Sequence, residues 1–402
     1  MRGPIGDGAG VAKSLYVHIP FCRSKCAYCD FLSFPLRDER MLSRYLESLV
    51  QEMSLYSGAE PETLYIGGGT PSMLSPAQFE YLDLGMQRHF RLGSVREFSI
   101  EANPDSVDEG RIEAWLRAGI NRISLGVQSF DDTVLGTVGR VATEADILHA
   151  VRLFREADVP NFGIDLMLGL QPSYPKADPD RVFNLFRIDL EKTVNLHPAH
   201  ISVYMLSISD ETALGRMVSQ CNHSLLDDST LEEMYLCAVE YLTGHGYLQY
   251  EVSNFAIPGN ESLHNRNYWH GEDYIGLGLG AVSTAKGRRR RNREKLEDYT
   301  ALVCAGKGPF EDVEMLDHAT LLTERIMLSL RMTEGMDMGV LMQGLSEERA
   351  NRLQTYLSSL FEYGLAERRG AHLALTARGF LKSNAIIADI VRVTDDTKNR
   401  HS

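Results

Sequence analysis

Between Cys22 and Cys29 the chain reads CRSKCAYC, which places three of its six cysteines within one short stretch at the spacing C-x3-C-x2-C. Thiolates crowded in this way are metal ligands or redox groups. A structural zinc site takes four protein ligands, commonly two C-x2-C pairs or a mixture with histidine. Here a second pair is missing, and His18 precedes Cys22 on a different predicted element. An iron–sulfur cluster fits better, because thiolates are its standard ligands. Three thiolates on a [4Fe–4S] cube leave one iron without a protein ligand, and an open metal position is normally a working one.

Other residues with chemical potential recur at regular intervals. Gly67, Gly68 and Gly69 lead into Thr70, Pro71 and Ser72; "EANPD" follows with Glu101; "GVQSF" brings Gln128; Arg140 lies in "TVGRVAT"; and Asp165 precedes Gly169. Glycines permit close approach of backbone to a ligand, and an arginine fork suits a carboxylate. Glu101 offers a hydrogen-bond acceptor, with Gln128 and Asp165 completing a polar rim.

Each of these groups trails a short β-branched, apolar run. Predicted strands span 14–19, 63–68, 97–102, 122–127, 162–168 and 200–206, and predicted helices span 40–56, 75–90, 106–119, 143–157 and 178–196. Ser75 and Pro76 carry an N-cap and first-turn signal. Strands alternating with helices imply a parallel sheet with outer helices, continuously apolar strands inside, and a complete or partial barrel. In such a barrel the chemistry sits at the C-terminal ends of the strands, where the cysteines, the glycines, Glu101, Gln128, Asp165 and Tyr204 all fall.

Beyond about residue 208 the alternation fades. A helix is expected at 228–246, a strand at 248–256, a dense segment at 264–283, and helices from 314 onward, with a short strand pair around Arg369. The expected division is a flexible leader over 1–13, a partial (β/α)6 barrel over 14–210, a covering segment over 211–313 and a winged-helix-like module over 314–402. The net charge of −14 argues against nucleic-acid binding. It also makes that last module a scaffold or cap rather than a DNA reader. The Arg288–Arg291 run is expected to be a solvated loop, with a local anion site as the alternative. No apolar run reaches the roughly 18 residues of a membrane span, so a cytoplasmic protein with reduced thiols is expected. Cys221, Cys237 and Cys304 are then ordinary half-buried thiols.

The three-cysteine loop, with Tyr28 just before its last cysteine, resembles that of the radical S-adenosylmethionine (SAM) proteins. That resemblance implies a [4Fe–4S] cluster on Cys22, Cys26 and Cys29, and SAM at the open iron. The stretches "LYVHIPFC", "YIGGGTPS", "SIEANP", "RISLGVQSF" and "FGIDLMLGLQ" further resemble the oxygen-independent coproporphyrinogen III oxidase group over nearly the full length. On that resemblance Tyr16, Gly68, Gly69, Thr70, Glu101, Gln128, Arg140 and Asp165 are SAM contacts, and Tyr28 lies beside the cluster. The group has an oxidase branch, with a fourth cysteine where this chain has Phe31 and a longer N-terminal extension, and a heme-chaperone branch. Phe31, the short leader and "HNRNYW" (His264, Asn265, Tyr268, Trp269) are similar to the chaperone branch. The implied partners are heme, heme-acceptor proteins and a reductant such as flavodoxin or ferredoxin. The alternative is oxidative decarboxylation of coproporphyrinogen III. His264 is either an axial heme ligand or a hydrogen-bonded packing histidine. Ser262 and Val282 stand where the branch often has Cys and His, which shortens the list of heme ligands.

Overall fold

The computed structural model describes residues 12–173, 177–221 and 225–394. Of the expected leader only Ala12 and Lys13 are described, and both are anchored. Ala12 is buried, and the Lys13 ammonium lies 2.8 Å from Glu272.

Six strands alternate with helices through the first half. They are β1 (Ser14–Ile19), β2 (Thr63–Gly68), β3 (Glu97–Ala102), β4 (Arg122–Gln128), β5 (Phe162–Leu168) and β6 (His200–Met205). The helices between them are α1 (Glu39–Met53), α2 (Pro76–His89), α3 (Glu109–Arg117), α4 (Asp132–Thr137), α5 (Glu144–Glu156) and α6 (Pro179–Asn195). The capping signals act as expected: Ser75 and Gln78 close a capping box on α2, and Thr143 with Asp146 closes one on α5. Neighbouring strands pair in parallel from β1 to β6.

The strands are not continuously apolar. One face of each, including Leu15, Val17, Ile66, Ile100, Leu125 and Ile164, is buried in the hydrophobic core. The alternate positions Tyr65, Glu101, Ser124, Asp165 and Tyr204 line a cavity, as the two-residue period of a strand requires.

The second half builds more of the same sheet than expected. After α7 (Ala213–Cys221) and α8 (Asp228–Gly244), the strand expected at 248–256 is two short antiparallel pieces, β7 (Leu248–Gln249) and β8 (Asn254–Ala256). The helix α9 (Leu263–Trp269) leads to β9 (Tyr274–Leu277), β10 (Val282–Ala285), β11 (Arg288–Asn292), α10 (Leu296–Cys304) and β12 (Phe310–Met315). The sheet has twelve strands in the order β12-β11-β10-β9-β1-β2-β3-β4-β5-β6-β8-β7. Strand β9 runs parallel to β1 on its outer side. The arginine run is therefore a strand and not a solvated loop. It pairs with β10 and β12, the Arg289 fork holds Glu324 at 2.7 Å through both nitrogens, and Arg290 stacks on Phe310. Glu52 of α1 ties this extension down by accepting from Tyr299, Asn292 and the Gly278 amide at 2.6–2.8 Å.

The C-terminal part comprises α11 (His318–Ser329), α12 (Met338–Met342), α13 (Glu347–Glu362), α14 (Ala377–Leu381) and α15 (Ser383–Thr394). A three-stranded sheet of β13 (Met336–Asp337), β14 (Ala366–Arg369) and β15 (His372–Leu375) completes it, with β15 in the centre. Three helices followed by a strand pair form the winged-helix arrangement. No helix among the described residues is long and apolar enough to cross a membrane.

Candidate functional site

The cysteine loop leaves β1 through a short parallel pairing of Phe21–Cys22 with Phe34–Pro35. It is held from several sides. The Leu36 amide donates to the Cys22 carbonyl, the Ala27 amide to Val138, and the Lys25 ammonium to the Phe31 and Ser33 carbonyls. His18 Nε2 lies 2.8 Å from the Leu32 carbonyl, so that nitrogen carries the proton, and Nδ1 accepts from the Tyr16 hydroxyl at 3.0 Å.

Cys22, Cys26 and Cys29 are free thiols. They line one cavity of about 300 Å³ together with Tyr28, Gly68, Gly69, Thr70, Glu101, Gln128, Arg140 and Asp165. Eleven of the thirteen residues singled out from the sequence thus converge, at the C-terminal end of the strands. Among the described residues no three His, Cys, Asp or Glu side chains close on a single ion. A cube spreads its thiolates over separate irons, so the loop has no need of such a focus.

Around the thiols lie polar groups held in demanding states. Arg140 reaches Cys26 Sγ at 4.0 Å, Asn103 at 2.8 Å and the Gly126 carbonyl, and its Nε is buried without a partner. Asp165 accepts from Ser124 at 2.9 Å through one oxygen, while the other has no partner. Burial pushes its carboxyl up. Glu101 accepts from Tyr65 at 2.9 Å and from the Gly68 amide at 3.0 Å, yet burial still pushes it up to about 7. Gln128 sits at φ 68° beside a bulge in β4, with its side-chain oxygen buried and unpaired. Left-handed backbone on a non-glycine residue and unpaired buried atoms both carry a cost, and here both face one cavity. Burial also pushes the Cys22 and Cys29 thiols up.

The glycines serve the chain itself before any ligand. A Cβ on Gly68 (φ +118°) would lie 2.7 Å from the His18 ring, and one on Gly69 would lie 2.5 Å from the Phe21 carbonyl oxygen. The Gly68 and Gly69 amides are also taken, by Glu101 and by the Ile19 carbonyl. Neither amide is left to donate to a ligand.

Two of the singled-out residues lie elsewhere. Tyr16 lines a second groove, not this cavity. His264 is buried at the opposite, N-terminal end of the strands. There α9 is gripped by strand-opening residues. Glu97 of β3 accepts from the Leu263 and His264 amides at 2.9 Å and pairs with Arg122 of β4 at 3.1 Å. Thr63 of β2 donates to Ser14 of β1, so it accepts from His264 Nδ1 at 2.9 Å. The ring stacks on Tyr65 with Nε2 enclosed and unpaired, and burial holds the imidazole down at about 3. With 1% of its surface exposed, His264 is a packing histidine, and no porphyrin face reaches it. Tyr65 and Ser124 also line the cavity and are signalled by period-two alternation on their strands, whereas the buried Glu97–Arg122 pair joins residues on separate strands and has no such signal.

Comparison with known proteins agrees with this geometry. Residues 16–186 match the radical SAM superfamily model, and residues 316–381 match the HemN C-terminal domain. Over 379 residues the chain is 32% identical to the heme chaperone HemW of Bacillus subtilis, covering 93% of this chain and 98% of that one. It is 39% identical over 273 residues to HemW of Escherichia coli, covering 67% and 69%. The chain belongs to the HemW family. The solved structure of coproporphyrinogen III oxidase (HemN) from Escherichia coli superposes with a TM-score of 0.81 at 24% identity, over 98% of this chain and 92% of that one, and so shares the fold. For a HemW-family chain in the radical SAM superfamily, the cavity's residues fit the implied group. They supply three free thiols, a buried arginine beside one of them, and unpaired polar atoms on Gln128, Arg140 and Asp165. Phe31 lies at the rim with 66% of its surface exposed, where a fourth thiol would mark the oxidase pattern.

Proposed function

We propose that the protein is a heme chaperone that carries a [4Fe–4S] cluster and exchangeable SAM in the cysteine cavity and hands heme to acceptor proteins. The supporting observation is the convergence of three free thiols, Arg140 and the unpaired polar atoms of Gln128 and Asp165 on one cavity that has Phe31 and not cysteine at its rim. When bound, the cluster supplies one-electron chemistry and an iron that no protein thiolate occupies. Cys22, Cys26 and Cys29 hold the other three irons. Arg140 balances the charge of the Cys26 thiolate and presents its remaining donors to the SAM carboxylate. Glu101 accepts from a ribose hydroxyl, and Asp165 and Gln128 hold the nucleoside side of the pocket. Thr70, Gly68 and Gly69 set its wall, and Tyr28 shields the cluster. A cytoplasmic location and a flavodoxin- or ferredoxin-type reductant belong to the same reading.

The test is anaerobic reconstitution followed by heme titration with and without SAM, and by incubation of the reduced protein with coproporphyrinogen III. Uptake of about four irons and four sulfides per chain, heme binding and no conversion of the porphyrinogen are the expected results. Formation of protoporphyrinogen would overturn the chaperone reading in favour of decarboxylation.

A further inference from the structure

The cysteine cavity is not the only sizeable concavity. A groove of about 750 Å³ lies between α9, strands β9–β11 and α11, lined by Tyr268, Trp269, Tyr274, Leu321, Arg325 and Met327 among others. That volume is within the roughly 300–1,000 Å³ of sites that enclose small organic ligands. The cysteine cavity is less than half as large and has its own cluster and nucleoside to house.

The groove's chemistry is that of a flat, apolar, anionic ligand. Its wall on α11 presents Leu321 and Met327, which are 43% and 39% exposed although apolar. Trp269 and Tyr268 offer ring surfaces on the α9 side. The groove's carboxylates are already engaged. Glu324 holds Arg289, Glu272 holds Lys13, and Asp273 accepts from the Lys286 amide at 3.0 Å. Arg325 is exposed and makes no ion pair among the described residues, which leaves a cation for an acidic ligand. Two lining side chains carry atoms that ligate heme iron, the His270 imidazole and the Met327 thioether. His270 Nε2 is held 3.2 Å from Glu334, the carboxylate partner that iron-ligating histidines usually have.

Resting on the heme-chaperone reading above, we propose that this groove is where the chain docks heme, with the macrocycle against Trp269 and the Leu321–Met327 wall and a propionate on Arg325. The site is thus distinct from the enclosed His264, although both belong to the neighbourhood of α9. A relay of hydrogen bonds links it to the cluster loop. Tyr16 lines the groove, its hydroxyl donates to His18, and His18 holds the Leu32 carbonyl, three residues beyond Cys29.

The test uses the full chain with its cluster reconstituted, titrated with hemin and followed by the Soret band. Leu321→Arg fills the groove and Arg325→Glu reverses its free charge, and both side chains are exposed enough to change without disturbing the core. Each should weaken hemin binding by about tenfold or more while iron and sulfide content and the melting profile stay at wild-type values. Phe31→Arg, at the rim of the cysteine cavity, should bind hemin as wild type does. Loss of hemin binding in Phe31→Arg, with the groove variants unaffected or only equally weakened, would overturn the groove and leave the heme-chaperone reading standing. Wild-type binding by both groove variants would overturn it too. A reconstituted wild-type protein that takes up no hemin would overturn both.

Discussion

Substituting Gly69 by alanine tests whether the triple glycine holds the cysteine loop or merely makes room for a ligand. The added Cβ would lie 2.5 Å from the Phe21 carbonyl oxygen, 2.8 Å from its carbon and 2.9 Å from Cys22 Sγ. Comfortable separations are about 3.5–4.0 Å, so the two segments must part by about 1 Å. No side-chain rotation relieves the clash with Phe21, because the obstacle is backbone. The Phe21 carbonyl is held by the Thr70 amide at 2.8 Å, and Phe21–Cys22 is paired with Phe34–Pro35. Overpacking of this kind costs about 1–3 kcal/mol, and an obstacle fixed by hydrogen bonds belongs at the upper end. The displacement falls on Cys22, one of three cluster ligands. The cluster-free variant should therefore unfold at lower urea, by about 2–3 kcal/mol, and the reconstituted variant should hold markedly less iron and sulfide. Gly93→Ala is the control, since nothing lies within 4 Å of its Cβ, and it should be close to neutral. A Gly69→Ala protein with wild-type stability and a full cluster would refute the reasoning.

Cys26→Ala should abolish the [4Fe–4S] spectrum after reconstitution, because two thiolates do not anchor the cube; a full spectrum would remove the cluster assignment. His264→Ala should cost about 2–4 kcal/mol through the vacated space beneath Tyr65, measured by urea melts, and should leave the Soret band of the bound heme unchanged; a shifted band would return the histidine to the heme site. Arg122→Met should lower stability by about 3–5 kcal/mol, since it removes the cation paired with the buried Glu97 carboxylate and leaves it only neutral donors. Glu52 offers a pH test: burial, opposed by its three donors, pushes its carboxyl up to about 7 from 4.5. The folded chain then keeps a proton that the unfolded chain loses, so this group's contribution is fully present below pH 4.5, falls as pH rises to about 7, and is flat above. Glu52→Gln should remove that part of the slope, on the order of 3 kcal/mol between pH 4.5 and 8, and an unaltered slope in urea midpoints would contradict the raised value.

Much of the site was legible because it is distributed along the chain by a simple rule. Parallel strands place their C-terminal ends at one rim, so residues that trail successive apolar runs meet there whatever their separation in sequence. Cys29, Glu101 and Asp165 meet in this way. Gln128 falls at the same rim, but its left-handed backbone has no signal in the sequence, because the bulge in β4 arises from pairing with β5. The arginine run departs from the expected solvated loop for a related reason. Its charge suggests solvation, whereas hairpin pairing on both sides, Glu324 and the Phe310 ring accommodate the stems within a sheet.

The amino-acid sequence by itself determined the local chemistry: the cysteine spacing, the helix caps, the alternation of strand and helix, and the family to which these motifs belong. Tertiary structure alone decided what His264 and Tyr16 do. The motif around His264 announces a histidine among aromatics, but its meaning depends on which end of the barrel α9 enters. That is fixed by Glu97, Thr63 and Ser14 at the starts of three separate strands. Long-range hydrogen bonds of this kind leave no periodic trace in a sequence. They decide between the two readings of His264 in favour of a buried plug, while Tyr268 and Trp269 of the same short helix line an open groove.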